Sequence, residues 1–341
     1  MKPTDFSKYL TDFLTQYLPV ECGASRNTIQ SYSLTFTVLL RYMKQEEGIK
    51  PETLSLKDIT KERVIHFLDW LESVRKSSIS TRNARLTTLH SFFRFIQYRE
   101  VAGLRQWQEI LSIRFKRCAS PEMAFLTVEG LKHLLKQPDI QTKYGRRDLA
   151  LLGLLYDSGA RVQELINLTP ADLRFEETTT VKFIGKGNKV RIVPLSSPQV
   201  QNLRRYMMEN SLFEAQNKIH PLFPNPQNNR LSRVAILDLV KKYADMARKS
   251  APDLIPDNIG CHTFRHSKAM HLLEAQINLV WIRDFLGHVS TTTTEVYARA
   301  SSKMKTEALQ KLNPSIVADK KTSWHKDGQL LCWLKSLQQN S

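Results

Sequence analysis

A chain of 341 residues with 41% hydrophobic content is long enough for two domains that each bury a core. Its 50 Lys and Arg against 33 Asp and Glu leave a formal net charge of +17, which suits a polyanionic partner whose counterions are released on binding, double-stranded DNA being the simplest. With no long apolar span and no signal-peptide core behind Met1-Lys2-Pro3-Thr4-Asp5, no membrane association is expected, and the expected location is the cytoplasm, at the nucleoid in a bacterium.

Helical patterning begins almost at once. Phe6, Leu10, Phe13, Leu14 and Tyr17 recur at helical spacing, as do Ile29, Tyr32, Phe36, Leu39 and Met43, then Val64, Phe67, Leu68 and Leu71, then Leu86, Leu89, Phe92, Phe93 and Ile96. Each stripe has the period of one buried helix face, so the rings read as core and not as a base-stacking platform. The polar faces differ. Ser25-Arg26-Asn27-Thr28-Gln30-Ser31 and Ser80-Thr81-Arg82-Asn83-Arg85 gather short hydrogen-bonding side chains and Arg at two helix starts. That makes Arg26, Asn27, Thr28, Ser80, Thr81, Arg82, Asn83 and Arg85 candidates for DNA contact, with ordinary N-capping as the alternative. Residues 1–113 are read as this helical DNA-binding domain. Residues 114–121 are read as a basic linker in which Arg114, Lys116 and Arg117 can follow phosphates.

Residues 122–312 are read as a second, catalytic domain. Helical patterning restarts at Thr127, and an apolar run from Leu149 to Tyr156 precedes Ser158-Gly159-Ala160-Arg161-Val162-Gln163-Glu164-Leu165. Val181-Lys182-Phe183-Ile184 and Arg191-Ile192-Val193-Pro194-Leu195 are the two strands the pattern supports, joined by the turn Gly185-Lys186-Gly187-Asn188-Lys189. His262-Thr263-Phe264-Arg265-His266-Ser267 places His262 and Arg265 on one face of a helix. Gly287 is a plausible helix C-cap before His288, and Tyr297 follows nine residues later behind Thr291 to Thr294. Residues 313–341 form a tail in which Leu330, Leu331, Leu334 and Leu337 return to helical spacing beside Trp333.

The residue types in the second half suit phosphoryl transfer without a metal. Planar guanidiniums such as Arg161 and Arg265 hold non-bridging phosphate oxygens as charge develops. Lys186 or His262 can deliver a proton to a departing sugar oxygen. Tyr297 becomes a nucleophile when cations stabilise its phenolate and a base takes its proton. Alone, each signal is weak: a tyrosine usually packs, Gly-Lys-Gly is usually a hairpin turn, and His266 reads as a surface or core histidine. Cys22, Cys118, Cys261 and Cys332 are scattered and are read as reduced, Cys261 as a small apolar filler. No phosphate-binding loop and no carboxylate cluster for paired magnesium ions stand out, so neither metal nor cofactor is expected.

In order and spacing this set resembles the tyrosine recombinase, or phage integrase, family. The carrying boxes are Ser158-Gly159-Ala160-Arg161-x-x-Glu164-Leu165, Gly185-Lys186-Gly187-Asn188-Lys189, His262 to Arg265, and Leu286-Gly287-His288 through Thr293-Thr294-x-x-Tyr297. The departures are small: Ala160 stands where a larger apolar residue is common, and Pro224 to Asn229 is a more polar loop than usual. The resemblance implies a mainly α fold with a small β-sheet, in which an N-terminal helical, SAM-like core-binding domain and a C-terminal α+β catalytic domain form a clamp around DNA. It further implies Arg161 and Arg265 on the scissile phosphate, Lys186 as general acid, His262 as acid/base, His288 as a hydrogen-bond donor to the phosphate and transition state, and Tyr297 as nucleophile. Relatives work as a homo-oligomer, a tetramer on paired sites, with a C-terminal helix docked on the neighbouring subunit; the tail here can equally pack on its own chain. Integration, excision or transposition of a mobile element is the expected role. Resolution of chromosome or plasmid dimers, or a catalytically silent DNA-binding regulator, is the alternative.

Overall fold

The computed structural model describes residues 3–118, 123–185, 189–287, 294 and 297. The chain divides into two compact units, Met1–Pro121 and Glu122–Ser341.

The first unit is helical. Thr4 caps α1 (Asp5–Asp12) by accepting the Ser7 N–H at 3.2 Å. α1 runs straight into a π-helical stretch, Phe13–Glu21, that contains Pro19. Proline has no N–H and its ring crowds the preceding turn, and the wider turn accommodates both. Gly23, at φ 57°, ends the stretch, letting the Ala24 N–H reach the Leu18 carbonyl at 2.7 Å. Four helices follow: α2 (Arg26–Gln45), α3 (Lys61–Ser73), α4 (Ile79–Ile96) and α5 (Leu104–Leu111). Phe6, Phe13, Phe36, Phe92 and Phe95 are all buried, and Phe36 meets Phe92 edge-on with centroids 5.0 Å apart. The aromatic stripes are therefore core. Each such ring contributes roughly 2–3 kcal/mol by leaving water.

The second unit holds α6 (Val128–Leu135), α7 (Lys143–Asp157), α8 (Val162–Asn167), β1 (Leu173–Arg174), β2 (Thr180–Ile184), β3 (Val190–Pro194), α9 (Ser197–Glu209), α10 (Arg233–Ser250), α11 (Cys261–Glu274) and α12 (Leu279–Leu286). The strands form one antiparallel sheet in the order β1-β2-β3, with Val181 opposite Val193 and Leu173 opposite Val181. Val181, Phe183 and Val193 point into the core while Ile184, Val190 and Ile192 stay exposed, the alternation of a sheet covered on one face. β1 has two residues, too few for a periodic pattern in the sequence. α7 is apolar nearly all round because it packs against both α9 and α11, so Ala150 to Leu155 has no solvent face. Gly153 leaves room for Gln199, whose amide donates to the Ala150 carbonyl at 2.9 Å. Tight packing of α7 and α11 fixes what their ends present.

Candidate active site

Two helix C-termini converge on two arginines. α7 ends through Gly159 at φ 57° and α12 through Gly287 at φ 65°, left-handed turns that glycine adopts without Cβ strain. The freed carbonyls face guanidiniums. Arg265 donates to the Gly159 carbonyl and to the Leu286 carbonyl, both at 2.7 Å, and Arg161 donates to the Gly287 carbonyl at 3.2 Å. Helix C-termini carry partial negative charge, so they hold cations in place without neutralising them fully. Arg265 is 3% exposed. Burial, and then Arg161 and Arg191, push its pKa down to about 9, which leaves it charged at neutral pH.

Glu164 organises the other side. Its carboxylate accepts the Arg161 backbone N–H at 2.7 Å and the Arg161 Nη1 at 2.9 Å, closing the first turn of α8. From β3, Arg191 reaches the same carboxylate with two bonds of 2.9 and 2.7 Å and lays its guanidinium over the Phe183 ring. Burial alone would raise the Glu164 pKa, but Arg191 and Arg161 outweigh it and hold the group near 2. Gly287 is also needed for space: a Cβ there would come within 3.0 Å of the Arg191 Cδ. Arg161 and Arg191 share the one carboxylate while Arg265 is held by carbonyls, so the cluster keeps a positive excess, and Arg161, with 34% of its side chain exposed, is the member open to solvent. Such a cluster suits an anionic phosphodiester.

Beside the arginines, α11 carries His262, Arg265 and His266, three and four residues apart and therefore on one face. Tyr297 is buried against this face, 3% exposed, with its hydroxyl 3.0 Å from the His266 Nδ1. The His262 and His266 rings lie 6.1 Å apart. Burial raises the Tyr297 pKa, and Arg265 and Arg161 pull against that rise. Burial lowers the His262 pKa, as do Arg265 and Arg161. It brings His266 to about 4, with His262 and Arg265 adding to the drop. Both imidazoles are thus neutral at physiological pH. Arg161, His262, Arg265 and Tyr297 from the sequence-derived set come together. Lys186 and His288 lie outside the described residues, as do Cys332 and the tail. His266 and Arg191 were given no role from sequence, and Glu164 only a place in the first motif box; the i to i+4 spacing from His262 is the one signal that could have flagged His266.

Burial pushes the Cys261 thiol up, as fits a small packing residue. Among the described residues, no cluster of His, Cys, Asp or Glu could hold a metal ion, and no helix is long and apolar enough to cross a membrane.

In the first unit, Ser25 and Ser78 cap α2 and α4, so capping and exposure of the next residues coexist. Arg26, Asn27, Ser80, Thr81, Arg114 and Arg117 are exposed, and Thr28 is half-buried. Arg82 is not available in this way. It is 4% exposed, it pairs with Glu72 at 3.6 Å, and it donates to the Arg114 carbonyl at 3.3 Å. Asn83 donates to the Lys116 carbonyl at 2.8 Å, Arg85 bonds the Thr35 hydroxyl at 2.9 Å, and the Lys116 ammonium sits 2.7 Å from Glu72. These four side chains anchor the segment that leaves the first unit and the α2–α4 contact.

Residues 124–304 match the phage integrase family, and residues 11–100 match the phage integrase N-terminal SAM-like domain. The chain belongs to the phage integrase family of tyrosine recombinases. It is 33% identical over 336 residues to a putative integrase/recombinase of Sinorhizobium fredii, covering 98% of this chain and 99% of that one. It is 30% identical over 315 residues to the tyrosine recombinase XerC of Thermodesulfovibrio yellowstonii, covering 91% and 98%. Two solved structures share the fold of this tyrosine recombinase. A Tn1549 transposon integrase with transposon right end DNA superposes with a TM-score of 0.67 at 15% identity, covering 90% of this chain and 99% of that one. An XerH site-specific recombinase in a post-cleavage complex gives 0.65 at 22% identity, covering 84% and 80%. The mainly helical, two-domain architecture with one small sheet is that of the integrases.

Proposed function

We propose that this protein is a site-specific DNA recombinase that cuts and rejoins strands through a 3′-phosphotyrosyl link, in integration, excision or transposition of a mobile element. The observation that carries the reading is the buried Tyr297 hydroxyl beside Arg265 and the neutral His266, with Arg161 held open next to them. In this reading Arg161 and Arg265 bind the non-bridging oxygens of the scissile phosphate, and Tyr297 Oη attacks phosphorus. Lys186 gives a proton to the leaving 5′-oxygen, His262 acts as acid/base, and His288 donates a hydrogen bond to the phosphate in the transition state. Bond energy is stored in the phosphotyrosine, so neither ATP nor a metal ion is required.

The substrate is double-stranded DNA, with Arg26, Asn27, Thr28, Ser80, Thr81, Arg114 and Arg117 on phosphates and groove edges. A tetramer on paired sites performs the exchange. The relatives named XerC and XerD, 30% identical, favour a second reading, resolution of chromosome or plasmid dimers with the same chemistry. Cytoplasmic action at the nucleoid fits both.

The test is covalent capture. On a nicked suicide substrate in EDTA, the wild type becomes attached to a 3′-phosphate, and Tyr297→Phe binds DNA without attachment. Attachment by the Phe variant at the wild-type rate removes Tyr297 from the role; attachment that chelator abolishes removes the metal-free reading.

A further inference from the structure

The recombinase reading gives acid/base work to His262, but the imidazole nitrogen that meets the Tyr297 hydroxyl belongs to His266. When Tyr297 Oη bonds to phosphorus, the phenolic proton must go to a base, and Lys186 is already assigned to the proton of the 5′-oxygen. His266 Nδ1 lies 3.0 Å from that hydroxyl, with ring centroids 5.7 Å apart; Tyr297 is buried and His266 half-buried. His266 sits one helical turn beyond His262 on α11, so its placement comes from the packed helix and not from a mobile loop.

Resting on that reading, we propose that His266 is a catalytic residue that accepts the Tyr297 hydroxyl proton during strand cleavage and returns it during strand joining. With Nε2 carrying its proton, Nδ1 offers a lone pair to the phenol. In cleavage the Oη–P bond forms, the P–O5′ bond breaks, the phenolic proton passes to His266, and the 5′-oxygen leaves with a proton from Lys186. Joining reverses each transfer: the 5′-hydroxyl gives its proton to Lys186, attacks phosphorus, and Tyr297 leaves with the proton held by His266. The site is left as it began, as two successive exchanges demand.

The surroundings govern when this can happen. Among the described residues, His262 and Arg265 on α11 act on His266, and Arg265 together with Arg161 at the start of α8 acts on Tyr297. Without DNA, burial and then His262 and Arg265 oppose a charge on His266, which stays neutral, and burial keeps Tyr297 a phenol against the pull of Arg265 and Arg161. A bound phosphate offsets the arginine charge and makes an imidazolium tolerable. The proton then moves as the O–P bond forms, because bonding to phosphorus makes the phenol acidic. The free protein therefore holds its nucleophile un-ionised until a phosphate is in place.

His266→Asn separates proton transfer from shape, since an amide oxygen can still accept the tyrosine hydrogen bond but is not a base. The variant is expected to bind DNA like the wild type and to form the suicide-substrate adduct on the order of 10²–10⁴-fold more slowly. The wild-type rate should fall at acid pH as His266 becomes protonated, and the variant should lack that acid limb. A second assay excludes a merely structural effect. In a Tyr297→Phe background, the joining of a 5′-hydroxyl strand to DNA ending in a 3′-p-nitrophenyl phosphate needs neither the tyrosine nor a proton for the leaving group. Adding His266→Asn should leave that rate unchanged. Adduct formation at the wild-type rate and pH profile by His266→Asn, or an equal loss in the p-nitrophenyl assay, overturns the proposal while the Tyr297→Phe result still supports the recombinase. A wild type that forms no adduct overturns both.

Discussion

Replacing Glu164 by Gln tests the cluster where its electrostatics are most exposed to measurement. The carboxylate is 6% exposed and ties Arg191, whose side chain is 9% exposed, to Arg161. Its pKa of about 2, against roughly 4.3 for a free glutamate, corresponds to about 3 kcal/mol of folding stability at neutral pH. Losing one partner of a buried pair costs about the same, roughly 3–5 kcal/mol, because Arg191 would remain buried with no counter-charge. The sign follows from a depressed folded-state pKa: the contribution is complete above the unfolded value and fades as pH falls toward 2. At pH 3 only about 1.5 kcal/mol should remain. Hydrogen exchange of the α8 and β3 amides in the full chain reads the second unit by itself. Glu164→Gln should lower their opening free energy by roughly 3 kcal/mol at pH 7 and by about half that at pH 3. A variant within about 0.5 kcal/mol of the wild type at pH 7, or a gap that does not narrow in acid, would refute the hub.

Arg161→Ala and Arg265→Ala should each slow cleavage by a factor corresponding to roughly 3–4 kcal/mol, as for loss of one preorganised donor. Lys186→Ala should be rescued by a substrate with sulfur at the bridging 5′ position, which needs no acid, whereas the arginine variants should not; equal rescue of all three, or of none, removes Lys186 from the role. In the first unit, Arg26→Ala should weaken DNA binding and reduce the salt slope by about 1. Arg82→Ala should instead lower the melting temperature, since its guanidinium ties Glu72 to the Arg114 carbonyl; a normal melt with weakened binding would return Arg82 to the interface. Truncation after Leu312 should keep half-site affinity but lose cooperative binding to a full site and recombination, provided a melt shows the remaining chain folded. Undiminished cooperativity in that protein would show that the tail is not the coupler.

Much of this protein is legible in one dimension because its signals are local. The stripes Val64, Phe67, Leu68, Leu71 and Leu86, Leu89, Phe92, Phe93, Ile96 name buried helix faces, and all nine residues are buried. Gly287 before His288 reads as a C-cap and takes φ 65°. Family membership also rests on motif order, which survives without coordinates. What folding alone decided is how residues far apart in sequence share charge. Arg82 looks like a DNA contact beside Thr81, yet the Arg114 carbonyl 32 residues away buries it. Arg191 looks like an ordinary strand residue until β3 carries it across to Glu164, 27 positions earlier. His266 looks like a packing histidine until Tyr297, 31 residues on, places its hydroxyl against Nδ1. Periodicity and capping depend on neighbours within a turn or two, and sequence records those directly. Burial of a charge and the partner of a proton depend on which elements pack together, and only the tertiary structure settles that.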